Sequence, residues 1–190
     1  MTTPLIGAGL FAMELDLERL PVRVIVSRHL NDELNPHDFS AAAMTGYIAA
    51  LWHHDAPAIE RGDFRALSSR PPRRAQLITM LDSANAAEVE AIEAAINNDI
   101  EYTATGPLTE YGEPSLSIRA NLGRLTSINI DPRWASVSDP AHIGYDIIEC
   151  ANEIRKQRPA FHDTGSWSIR SDEELEAELI EYNRYLGRSF

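Results

Sequence analysis

The residues able to do chemistry in this chain are few, and they do not converge. His53-His54-Asp55 holds an adjacent histidine pair, but neighbouring helix positions do not face one way. No carboxylate or third histidine follows at a metal-ligand spacing, so the pair reads as structural or surface histidine. Cys150 beside Glu149 invites a thiolate nucleophile; on the apolar stripe of a helix a lone cysteine reads as core instead. One cysteine also excludes an internal disulfide and a cysteine-rich metal site. Nothing resembles a glycine-rich phosphate loop, a Ser-His-Asp signature or paired catalytic carboxylates. The expectation is a protein that is not an enzyme and needs no cofactor and no metal.

Charge says more. The net charge is −12, from 17 Lys and Arg against 29 Asp and Glu. Duplex nucleic acid is a polyanion, and affinity for it comes largely from cations that neutralise phosphates. A chain this acidic must concentrate its positive charge or bind something else. Arg61, Arg65, Arg70, Arg73 and Arg74 make the densest positive stretch, broken by Asp63 and interleaved with Ser68-Ser69 and Pro71-Pro72. That composition reads as an arginine-bearing arm able to touch phosphate or as a solvated linker. Arg155, Lys156 and Arg158 form a second, smaller cluster, and these eight residues are the candidate nucleic-acid contacts. Asp172, Glu173, Glu174, Glu176, Glu178 and Glu181 crowd the C-terminal helix, as a solvated face or as a docking surface for a basic partner. Trp52, Trp134 and Trp167 could stack on bases. For Trp134, packing against the helix after it is the plainer expectation.

The elements that must carry these residues follow from periodicity. Apolar residues at 116, 118, 120 and 122, then at 128 and 130, flank Asn121-Leu122-Gly123-Arg124, which reads as a β-hairpin with one buried face. Asp131-Pro132 closes the second strand, since proline cannot donate to a ladder, and a helix pattern follows. Leu10 to Leu17 and Pro21 to Val26 form a second hairpin candidate, and Asn35-Pro36 opens a helix to about Trp52. Ala75 to Leu81 is ambiguous between helix and strand. Asn85 with Glu88, and Ser171 with Glu174, are capping-box starts, and Gly187 is a helix stop. Ile100 to Thr105 reads as a further strand.

The two hairpins align. Ile6 to Leu20 matches Tyr111 to Leu125 without a gap, setting Gly7 on Gly112, Leu17 on Leu122 and Arg19 on Arg124. After a one-residue slip, Val24 and Val26 fall on Ile128 and Ile130, and Pro36 on Pro140. Phe39, Ala43, Gly46 and Ala50 then fall on Ile143, Ile147, Cys150 and Ile154. If the match reflects duplication, the copies could pair within one chain as two subunits of a dimer do.

From about Glu88 to Arg158 the chain resembles the YbaB/EbfC family, in the form of a tandem-duplicated, acidic, actinobacterial-type member. The resemblance rests on Ile100 to Gly106, Ser115 to Leu122, Leu125 to Pro132 with its terminal Ile-Asp-Pro, and Asp139 to Lys156 with Ala151-Asn152-Glu153. It implies a leading helix, a three-stranded antiparallel sheet, a closing helix, dimer formation and nucleoid-type DNA binding; some relatives are linked to type VII secretion. The expected fold class is α+β: small antiparallel sheets, each a hairpin or a hairpin plus one strand, flanked by helices as an intrachain pseudo-dimer. Four segments are expected: 1–52, a hairpin–helix half-repeat; 53–84, an arginine- and proline-containing connection; 85–160, the YbaB-like unit; and 161–190, the acidic helix. On charge, the expected function is an interaction protein that binds a protein partner, or itself, through an acidic surface. A nucleoid-associated DNA-binding protein is the alternative, disfavoured by net charge. No stretch of about 18 apolar residues suggests a membrane span, and no basic leader opens the chain. Membrane binding is not expected, and the expected location is the cytoplasm, or the nucleoid if DNA is bound.

Overall fold

A computed structural model describes residues 9–64, 66–68 and 70–188. The chain forms two compact units: Met1–Ser69 with Glu101–Gln157, and Arg70–Ile100 with Arg158–Phe190. The architecture is α+β, with two small antiparallel sheets. Arg65, Ile6 and Gly7 lie outside the described residues.

The first unit holds both sheets. Strands β1 (Phe11–Leu15) and β2 (Pro21–Val26) form a two-stranded sheet. Strands β3 (Tyr102–Thr105), β4 (Leu116–Ala120) and β5 (Leu125–Ile130) form a three-stranded sheet in that order. Alternation decides the faces. Leu116, Ile118 and Ala120 are buried, while Arg119 is exposed. Leu125 and Ile128 both face inward although three positions apart, because the register shifts between Arg119 and Ala120. One extra residue on β5 returns the strand to phase, which is what a β-bulge does. The first hairpin has the same irregularity between Glu14 and Leu15, with Leu15 opposite Pro21 and Met13 opposite Val24.

A short helix α1 (Leu30–Glu33) and a 3₁₀ turn at Pro36–Asp38 lead into α2 (Phe39–Glu60). The polar and proline-containing residues after Trp52 do not end this helix. It runs two further turns and carries Pro57 inside it. After β5, Asp131 caps the short helix α5 (Pro132–Ala135) by accepting from the Arg133 N–H at 2.8 Å. Helix α6 (Pro140–Gln157) follows.

The helices cross between hairpins. α2 packs on β1 and β5, and α6 packs on β2, β3 and β4. The Ser40 hydroxyl accepts the Ile130 N–H at 2.9 Å. Tyr47 Oη accepts the Leu125 N–H at 3.0 Å and donates to the Arg19 carbonyl at 3.1 Å. Arg155, on α6, donates to the Pro21 carbonyl at 2.8 Å. Gly46 and Gly144 permit close approach: a Cβ on Gly46 would sit 2.5 Å from the Phe11 carbonyl oxygen, and one on Gly144 would sit 3.1 Å from that of Val24. A single core joins both hairpins and both helices, from Leu10 and Phe11 through Tyr47 to Ile147 and Ile154.

The second unit is helical: α3 (Arg73–Leu81), α4 (Ala86–Ile96) and α7 (Asp172–Tyr185). The ambiguous segment Ala75 to Leu81 is helix, and every residue in it is buried. The stretch 53–84 is therefore more than a connection, since it completes α2 and contains α3. Its core joins Leu77, Ile78, Val89, Ile92, Leu175 and Leu179, with Phe161 and Trp167 packed against it. Both expected caps form. Asn85 accepts from the Glu88 N–H, and Ser171 with Glu174 makes the full reciprocal box. Gly187 follows α7 at φ 73°, the left-handed conformation that favours glycine. α4 belongs to this unit, not to the one that holds β3–β5, so the helix and the sheet expected together in 85–160 fall in two compact units.

Candidate interaction surface

Helix α2 carries no Asp, Glu, Lys or Arg from Phe39 to His54. Its inner face is filled by Phe39, Ala42, Ala43, Gly46, Tyr47 and Ala50. Apolar residues continue onto the outer face, where Ile48 is 50% exposed and Trp52, one turn on, 67% exposed, with Ile59 beyond. A helix apolar on all sides normally has all sides covered. At the spacing that sets Ile143 against Phe39, the α6 positions opposite Ile48 and Trp52 are Asn152 and Lys156. Asn152 accepts from Arg155 at 2.7 Å, and Lys156 pairs with Glu153 at 2.6 Å. That is how a solvated helix face is ordinarily built.

The candidate nucleic-acid contacts do not form one positive surface. In the second unit Arg73 donates to Glu176 at 3.1 Å. Arg74 donates to Asp172 at 2.6 Å and to the carbonyls of Ser168 and Arg170. Arg158 is buried at 7% exposure. Arg70 is exposed. In the first unit Arg155 holds Asp16 at 2.7 Å and the Pro21 carbonyl, and Arg61 is exposed just past α2. Lys156 is exposed beside Glu153, whose hydrogen bond and charge raise the ammonium pKa above its usual range.

The acidic helix is engaged in the same way. Asp172 and Glu176 are the partners of Arg74 and Arg73, Glu178 pairs with Arg170 at 2.9 Å, and Glu174 closes the capping box. Glu173 and Glu181 are exposed. The candidate cations and candidate anions of this unit thus meet each other, a pairing across about a hundred residues that local spacing does not reveal.

His54 lies 3.0 Å from Asp55, which also accepts from Arg19, while His53 is exposed. Arg19 sits in the left-handed region at φ 57°, in the tight turn where Asp16 accepts the Leu20 N–H. Its guanidinium reaches Asp55 and the carbonyls of Ala66 and Leu67, which holds that conformation in place. Cys150 is 2% exposed, and burial, then the carboxylates of Asp146, Glu149 and Glu153, push its thiol up to about 12. A thiol kept protonated is not a nucleophile. Trp134 packs against the core, and Trp167 packs in the second unit beneath Arg170. No group of three or more metal-ligating side chains occurs among the described residues. No helix among them is long and apolar enough to cross a membrane.

The outer face of α2 escaped the sequence reading because a continuous apolar run gives no moment that separates a covered side from an open one. The legible signal was the long charge-free run itself, in a chain with 24% charged residues. No family model, curated protein or solved structure matches the chain.

Proposed function

We propose that this chain is a non-enzymatic interaction protein of YbaB/EbfC-like, internally duplicated fold, and that its protein partner docks on the outer face of α2. The exposed Ile48–Trp52 stripe carries the reading, because the matching face of α6 is polar and ion-paired. The coincident bulges of the two hairpins, and the crossing of each helix to the other hairpin, support the duplication. Apolar stripes on an otherwise charged surface mark places where proteins meet. With the chain at −12, a partner that presents an apolar helix face flanked by basic residues is the best match. The DNA-binding alternative needs cations that meet phosphates. Arg73, Arg74, Arg155 and Lys156 instead lie within hydrogen-bond distance of carboxylates of the chain.

The test is capture from native extract with the immobilised full-length protein and its Ile48→Lys/Trp52→Lys variant. The proposal expects a defined partner on the wild type that the folded variant loses. Equal capture by both rejects α2 as the surface. Glu173→Gln with Glu181→Gln is the control for the acidic helix. Deletion of 171–190 would be uninformative, because it removes core residues Leu175 and Leu179. A duplex-DNA mobility shift that weakens steeply with salt would favour the nucleoid reading instead.

A further inference from the structure

The outer row of α2 has a symmetry of its own. Ala41, Thr45, Ile48, Trp52 and Ile59 are spaced by four, three, four and seven residues, the period of a seam between two helices. Ala41, Ile48, Trp52 and Ile59 are exposed. Thr45 donates its hydroxyl to the Ala41 carbonyl at 2.9 Å, so it brings no unpaired donor to the row. The step between Trp52 and Ile59 falls on Asp55, whose carboxylate Arg19 holds at 3.1 Å. The row is centred on Ala50, which lies on the opposite, buried side of the helix. Turned end for end about that centre, the row meets itself. Ile48 stands level with Trp52, Thr45 with Asp55, and the bulky Ile59 with the short Ala41. A surface that complements its own inverted copy is what a two-fold interface requires.

We propose, on the reading that α2 is the docking face, that its partner is a second copy of this chain, seated through an antiparallel α2–α2 seam. Charge fits this occupant although each chain carries −12. Phe39 to His54 contributes no Asp, Glu, Lys or Arg, so the like charges of two copies stay off the centre of the seam. At its two ends opposite charges come level, Arg61 of one copy with Asp38 of the other. Arg61 is exposed, and Asp38 makes no side-chain cap to the helix it heads. α2 is thus itself an apolar helix face with basic groups beside it, at His37, His53 and Arg61.

Sedimentation of the full-length protein, with crosslinking of paired cysteine variants, tests it. The wild type should run at twice the 21.2 kDa chain mass at about 100 µM and dissociate on dilution. Ile48→Lys with Trp52→Lys should weaken association at least about a hundredfold with unchanged circular dichroism. Cysteines then read the direction of the seam. Ala41→Cys mixed with Ile59→Cys should join through a short bismaleimide. Either variant alone should not, because identical positions lie about 27 Å apart along an antiparallel seam. Cys150 is buried and does not compete. If the lysine variant unfolds, the cysteine pair decides alone. A wild type that stays monomeric at about 100 µM overturns the second copy and leaves a foreign partner on α2 to the capture experiment. A dimer that survives the lysine substitutions, or that crosslinks like with like, overturns the antiparallel α2 seam.

Discussion

Helices α2 and α6 occupy matching places in the first unit, yet they solve their packing in opposite ways. α2 is lined inward with Ala42, Ala43, Gly46 and Ala50, so the backbone itself comes close to β1. α6 also comes close to β2 at Gly144, but at the positions matching that row it presents Ile147, Cys150 and Ile154, and fills more of its share of the core with side chains. α2 closes onto the start of β5 with a buried tyrosine hydroxyl, whereas α6 reaches the start of β2 with the half-buried arginine Arg155. Outward, α2 is apolar and α6 is charged. One arrangement of strands and helices therefore accepts small or large inward residues, provided volume is conserved across the shared core. The outer faces have no such constraint, so they can diverge toward a partner or toward water.

The largest expected effect is at Gly46, where α6 has Cys150. Gly46→Ala drives a Cβ into the Phe11 backbone, and urea unfolding should show a loss of about 3 kcal/mol. A loss below about 1 kcal/mol would mean that α2 can lift off β1, and that the tighter approach at Gly46 is not what separates the two helices. Tyr47→Phe comes next. It leaves the Leu125 N–H without its acceptor and should cost about 2 kcal/mol in the same measurement.

Cys150 sharpens the contrast through pH. Its thiol ionises near 12 when folded, against an ordinary value of 9.0. The stability it supports is complete below that ordinary value and is lost as pH rises toward 12, because the unfolded chain releases the proton first. Alkaline unfolding should therefore steepen across that window in the wild type and flatten in Cys150→Ala. A disulfide-exchange reagent at pH 8 should label the thiol only after denaturation; rapid labelling of native protein would refute its burial. The smallest effect on stability is at Trp52. Trp52→Lys, which copies the residue at the matching α6 position, should change stability by no more than about 0.5 kcal/mol while abolishing partner capture. A loss of several kcal/mol would show instead that Trp52 is core.

Much of the local structure was legible from residue order. Alternation at 116–120 and 125–130, the caps at Asn85 and Ser171, and the burial of Cys150 depend on neighbours within a turn or two. The extension of α2 past Pro57 was not legible. A proline costs helix propensity locally, and the buried contact of Ala58 lies outside that local window. Nor was the candidate interaction face, since exposure of Ile48 and Trp52 depends on which side of α2 the strands occupy.

The sequence by itself determined two antiparallel hairpins, their similarity, an excess of negative charge and the absence of a recognisable catalytic constellation. All of these are properties of composition and short-range period. Only the tertiary structure decided that α2 covers β5 and α6 covers β2. It also decided that Arg73 and Arg74 meet Glu176 and Asp172, and that α4 joins α3 and α7. The physical reason is the same in each case. Burial and ion pairing are settled by whichever surfaces the folded chain brings together, and residues a hundred positions apart leave no mark of that meeting in their local pattern.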